Sequence, residues 1–166
     1  MRRAALTLAL LLGACAAPMA STSAAAPGLV LDAEGLRPAG SALRVDFGRA
    51  EDGAIAAVSR LLGAGPVETA ANAECGAGPV KAVRWANGLT LNFQRGAFLG
   101  WVSETGRGTA AAASTGLGPG TARAALQGAR FEETSLGTEF EAGGVFGLVE
   151  GGEVRLIWAG VTCFFR

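Results

Sequence analysis

Apolar residues fall in three patterns along this chain of 166 residues. An unbroken run, Ala4 to Leu12, follows Met1-Arg2-Arg3. A helical spacing appears once: Ile55, Val58, Leu61 and Leu62 recur at three- and four-residue steps within Glu51 to Leu62, behind an acidic first turn and ahead of Gly63. Elsewhere apolar and polar positions alternate. Leu29-Val30-Leu31 and Leu43-Arg44-Val45-Asp46-Phe47 predict short strands, separated by a turn-rich piece with Gly35, Pro38 and Gly40. After an irregular stretch carrying Cys75, Val83, Trp85, Leu89, Leu91 and Phe93 share one parity, and Arg84, Thr90, Asn92 and Gln94 take the other. Asn87-Gly88 and Arg95-Gly96 stand where tight hairpin turns belong, and Phe98 to Val102 makes the next strand.

A Gly-, Ala- and Thr-rich joint, Ser103 to Thr115, precedes a partial return of the pattern. Leu117-Gly118 echoes Phe47-Gly48, and Thr121 is placed to cap a short helix through Leu126. Gly144 to Val149 followed by Gly151-Gly152-Glu153-Val154 parallels Gly88 to Phe93 followed by Arg95 to Phe98, ungapped at an offset of 56 residues. The two helices match at an offset of 70, so the first copy carries an insertion around Cys75. The expected fold class is therefore α+β, two tandem repeats of a helix followed by an antiparallel β-meander. Residues 28–103 form the first repeat and 104–166 the second, the two making one compact unit.

The unit Phe47-Gly48, helix, Leu61-Leu62-Gly63-x-Gly65-Pro66, Trp85, then Gly88-Leu89-x-Leu91-x-Phe93-x-x-Gly96-x-Phe98 resembles the helix-plus-sheet repeat of the SmpA/OmlA outer-membrane lipoproteins. Its duplication is similar to the tandem arrangement of the beta-lactamase-inhibitor-protein group. The resemblance spans roughly residues 43–166 and implies a fold and a protein partner, but no particular binding residue. The second copy departs from it: Gln127-Gly128 stands where the first has Leu-Gly-x-Gly-Pro.

The first fifteen residues carry a different kind of information. A basic start, a short apolar core and Leu12-Gly13-Ala14-Cys15 read as a secretory signal peptide, residues 1–14. The Leu-Gly-Ala-Cys ending resembles the lipobox of bacterial lipoproteins, which makes Cys15 the expected lipidation site. Cleavage after Ala14-Cys15-Ala16, releasing a soluble protein, is the alternative. The apolar run falls short of the ~20 residues that span a bilayer. From Cys15 to Pro27 the chain is nearly all Ala, Ser, Thr and Pro, a flexible tether. Ala16 after the lipidated cysteine, in place of aspartate, points to the periplasmic face of the outer membrane in a Gram-negative cell.

Charge and composition narrow the chemistry. Fourteen basic and fourteen acidic residues balance, and losing Arg2 and Arg3 leaves the mature chain slightly acidic. With no basic stripe, nucleic acid is not an expected partner, and membrane attachment comes through the lipid alone. Once Cys15 is taken, Cys75 and Cys163 remain as an even pair in an oxidising compartment. A disulfide between them would stabilise by ~4 kcal/mol in the loop-entropy account; two buried free thiols are the alternative. The chain contains no His and no Tyr, so neither a Ser-His-Asp nor a Cys-His site can be built. No metal, cofactor or catalytic residue is expected. Glu132, Glu133, Glu139 and Glu141 cluster, which keeps an acid-driven envelope hydrolase as a distant alternative, without the Asp-rich loop that calcium needs. Gly116 to Thr121 invites an anion-loop reading but lacks the P-loop lysine.

Parity supplies the candidate binding surface. Phe98 and Trp101 fall on opposite faces of their strand, Phe146 opposes Val145, and Ile157 opposes Leu156 and Trp158. A sheet covered on one side should alternate more cleanly. Either the repeats pack together through their second faces, or an apolar sheet surface with Phe98 and Trp101 takes a partner. The expected function is non-catalytic: an exported lipoprotein that binds or scaffolds an envelope protein, with an inhibitor-like module for a secreted or envelope enzyme as the rival.

Overall fold

The computed structural model describes residues 28–105, 112–113 and 116–164. The signal segment and tether, Cys15 among them, lie outside the described residues. In chain order the elements are β1 (Leu29–Asp32), β2 (Gly35–Pro38), β3 (Val45–Asp46), α1 (Glu51–Leu62), β4 (Glu68–Asn72), β5 (Val80–Arg84), β6 (Leu89–Gln94), β7 (Ala97–Glu104), β8 (Ala112–Ala113), β9 (Arg130–Thr134), β10 (Gly137–Ala142), β11 (Val145–Glu150) and β12 (Glu153–Gly160). A small sheet runs β3-β2-β1-β8. The dominant sheet has eight antiparallel strands in the order β4-β5-β6-β7-β12-β11-β10-β9. Its last strands of each run, β7 and β12, pair down the middle, with Trp101 opposite Ala159 and Ser103 opposite Ile157.

This corrects the expected fold class. The protein is mainly β with a single α-helix among the described residues, not two helix-plus-meander repeats. Where a second helix was expected there is one 3-10 turn, Arg123–Ala125. Ala122, Ala124 and Ala125 are all exposed and only Leu126 is buried, so this segment offers no apolar stripe. Fewer than two turns without a face to bury cannot repay helix nucleation. Thr121 caps no helix; its hydroxyl accepts from the Gly118 amide at 3.1 Å and braces the preceding turn.

The helix that does form follows from local chemistry. Ala54 and Val58 are buried, Glu51 and Asp52 occupy the first turn, and Gly63 ends it in the left-handed conformation at φ 66°. Ala50 supplies no side-chain cap; the Glu51 amide instead donates to Gly96 O in the β6–β7 turn at 2.8 Å. That turn has Arg95 at φ 50° and Gly96 at φ 75°, the left-handed pair a two-residue hairpin demands. Helix α1 lies over the first meander, with Trp85 Nε1 donating to Ser59 Oγ at 3.3 Å.

Cover over the second meander comes from the N-terminal hairpin. Leu29, Leu31, Leu36 and Val45 join Phe140, Val145, Val154 and Ile157 in one core with the helix residues. Ala33, in the β1–β2 turn, sits against Gly144, where any Cβ would collide with it. Sequence patterning reads β2 as turn, because Gly35 and Pro38 bracket it. Gly35 is there for close approach, since a Cβ would strike the Val45 carbonyl of the neighbouring strand.

Candidate partner-binding face

The surface predicted for Phe98 and Trp101 does not exist. Both side chains are 0% exposed, on the covered face. Opposite Phe93 and Leu91 stand Phe98 and Trp101, with only Asn92 between the first pair but Leu99 and Gly100 between the second. One extra residue is a β-bulge, and it reverses alternation, so two positions of opposite parity point the same way. Phe98 meets Phe47 edge-on at 5.1 Å, and Trp101 Nε1 donates to Asp32 O at 2.8 Å. A second bulge in β12 leaves Arg155 as the extra residue, so Val154 and Ile157 both enter the core. The predicted packing of repeats through their second faces fails too, because the meanders join edge to edge.

The opposite face of the large sheet carries a smaller apolar group. Leu148, Leu156 and Trp158 are buried together, with Val102, Leu136 and Phe164 half-covered around them. Phe146 stacks on Trp158 at 6.1 Å between ring centroids and remains 41% exposed. Beside it lies a depression of about 650 Å³ lined by Arg130, Phe131, Glu132, Glu139, Glu141 and Phe146. Strand register explains the arrangement: Glu139 opposes Glu132, Glu141 opposes both Phe146 and Arg130, and Leu148 opposes Glu139. Sequence reasoning registered the apolar surplus of Phe146, Leu156 and Trp158 but located its meaning at Phe98 and Trp101.

The four clustered acids are divided between faces. Glu132, Glu139 and Glu141 line the depression, while Glu133 pairs with Thr138 on the other parity and accepts its hydroxyl at 2.8 Å. Glu139 is buried and accepts from Thr134 Oγ1 at 2.7 Å. Glu141 accepts from the Gly144 amide at 2.8 Å and from Arg130 Nε at 3.0 Å. The Gly144 amide first, and then Arg130, hold the Glu141 carboxyl below its ordinary value. Glu141 thus keeps its charge at the rim of an aromatic-edged hollow, an arrangement that attracts cations.

Other predicted sites resolve as follows. In Gly116 to Thr121 three amides are engaged within the fold: Gly118 N by Thr121 Oγ1, Gly120 N by Val154 O, Thr121 N by Gly118 O. Those three amides are therefore not offered to an anion. Cys75 and Cys163 are brought together as thiols, the one buried and the other half-buried. Asn72 Nδ2 donates to Cys163 Sγ at 3.2 Å, and Cys75 Sγ reaches Thr162 O at 3.9 Å. Among the described residues no group of three or more His, Cys, Asp or Glu is placed to hold a metal, and no helix is long and apolar enough to cross a membrane.

No protein-family model, curated protein or solved structure matches this chain.

Proposed function

We propose that this chain is an exported, lipid-anchored and non-catalytic envelope protein. Its acidic, aromatic-edged sheet face binds a cationic segment of an envelope protein that also presents an apolar side chain. One observation carries the reading: the eight-stranded sheet is thickly covered on one side, and on the other a half-exposed Phe146 borders a depression lined by three carboxylates and one guanidinium. That charge ratio favours Lys or Arg in the occupant, and the Phe146–Trp158 stack offers both an apolar contact and a π face for a cation. The lipobox-like Leu12 to Cys15 supports anchoring, and Ala16 supports the periplasmic face of the outer membrane.

Two experiments test this. Fatty-acid labelling of the wild type and of Cys15→Ser should mark only the former; a wild type without label defeats the anchor. A photo-crosslinking residue at position 146, irradiated in the native envelope, should capture a specific protein. Capture should drop at least fivefold when Glu132→Lys is combined with it. Equal capture with and without that charge reversal defeats the proposed occupant.

A further inference from the structure

We infer that Cys75 and Cys163 form a disulfide whose role is to latch the C-terminal segment Val161–Phe164 across the partner-binding side of the sheet. The geometry of that segment is the argument. At the end of β12 the chain turns at Gly160, φ 71°, where a Cβ would strike the Leu99 carbonyl and the Phe47 ring. Val161 N then donates to Leu99 O at 2.8 Å, and Val161 O accepts from Asn92 Nδ2 at 2.9 Å. Gly100 lies directly beneath, and a Cβ there would collide with Val161 backbone. Two glycines opposite one another in the register therefore let the segment lie flat on the sheet.

From there the segment crosses the first meander. Asn92 sits on β6 and Asn72 on edge strand β4, and each side chain donates to the crossing segment, Asn72 at the Cys163 sulfur. Cys75, in the turn after β4, adjoins Cys163, and its Sγ reaches the Thr162 carbonyl of the crossing segment at 3.9 Å. A small hollow of about 200 Å³ remains beneath, between Asn72, Val80, Ala82, Asn92, Val102 and Phe164. Phe164 then meets Trp158 edge-on, ring centroids 4.8 Å apart. Trp158 also stacks on Phe146, so the latch lies one ring away from the proposed binding face. Without a covalent tie the segment is held by two amide side chains, one backbone–backbone bond, the long Cys75 contact to Thr162 O and one ring contact, few enough for local opening.

The chemistry balances with a disulfide oxidant, either a thiol–disulfide oxidoreductase of the envelope or glutathione disulfide in a tube. One cysteine thiolate attacks the oxidant and expels one thiolate; the second cysteine displaces the other from the mixed disulfide. Two thiol protons leave and two electrons pass to the oxidant, whose disulfide becomes two thiols. Burial first, then the neighbouring Cys75 thiol, push Cys163 up to about 11, so thiolate is scarce at neutral pH and oxidation is slow without a catalyst.

The export reading supplies only the physiological oxidant, so the latch is tested on isolated protein. Full-length Cys15→Ser protein, reduced and then treated with glutathione disulfide at pH 8.5, should lose both thiols and 2 Da of mass. Digestion should yield a peptide joining Cys75 to Cys163. Carboxypeptidase should trim the reduced protein past Phe164 at least tenfold faster than the oxidised one, and a solvatochromic apolar dye should bind the reduced form more strongly. Gly100→Ala, with both cysteines in place, should slow closure by lifting the segment. Glutathione adducts or intermolecular dimers in place of the internal bond would overturn the pairing; equal trimming of the two forms would overturn the latch. Either result leaves the crosslinking test at position 146 unaffected.

Discussion

Trp101→Phe puts the corrected role of this residue at risk. Trp101 is fully buried on the central strand, and its indole N–H reaches back to the Asp32 carbonyl in the N-terminal hairpin. Phenylalanine keeps a ring in the core but deletes the donor and part of the volume. An acceptor left without its partner costs ~1–2 kcal/mol. The emptied space costs another ~1–2 kcal/mol where neighbours relax incompletely. The total, ~2–4 kcal/mol, should lower the melting temperature by ~5–15 °C at the sensitivity of a domain this size. Far-UV circular dichroism in urea is the assay, because it does not depend on the tryptophan removed. The midpoint should fall while the slope stays constant, the mark of lost stability without a changed unfolded state. A loss below ~0.5 kcal/mol, the range of surface substitutions, would refute the buried clamp and return Trp101 to the surface.

Phe146→Ala should cost less than ~1.5 kcal/mol, since the ring is 41% exposed and loses mainly its stack on Trp158, yet partner capture in the envelope should fall; unchanged capture argues against this face. Arg44 makes paired hydrogen bonds of 2.8 Å to Asp32 and holds that carboxyl below its ordinary 3.8. The native state therefore binds this proton less readily than the unfolded chain, so the bridge contributes fully above about pH 5 and is lost as pH falls from there through the lowered native value. Arg44→Gln should reduce stability by ~1–2 kcal/mol at pH 7, and its deficit against wild type should close in acid titrations toward pH 2; a constant deficit would refute the linkage. Gly147→Ala drives a Cβ into the Phe140 ring and should destabilise by ~2–3 kcal/mol. Adding Phe140→Leu should recover at least ~1 kcal/mol in a double-mutant cycle, whereas strict additivity would place the clash elsewhere.

Several elements were legible because one short segment decides them. Helix α1 needs only its spacing, its acidic start and Gly63, and the Arg95-Gly96 turn needs only two residues that tolerate positive φ. Edge strands β4 and β9 were not legible. Glu68-Thr-Ala-Ala-Asn and Arg130-Phe-Glu-Glu-Thr are exposed nearly throughout, so no buried face writes alternation into them. Of the candidate site, the acids of β9 and β10 and the surplus apolar residues of β11 and β12 were visible as compositional facts. Their convergence was not, because it depends on which strand pairs with which and in what register.

By itself, then, the sequence determined local conformation: the helix and the hairpin turns, each set by neighbours in the chain. Tertiary structure alone decided which way side chains face. Leu99 and Arg155 bulge only because partner strands hold one residue fewer, and those two slips send Phe98 with Trp101, and Val154 with Ile157, inward together. It also decided that an N-terminal hairpin, not a second helix, covers the second meander, since burial depends on which apolar face reaches the core and not on which segment lies nearest in sequence.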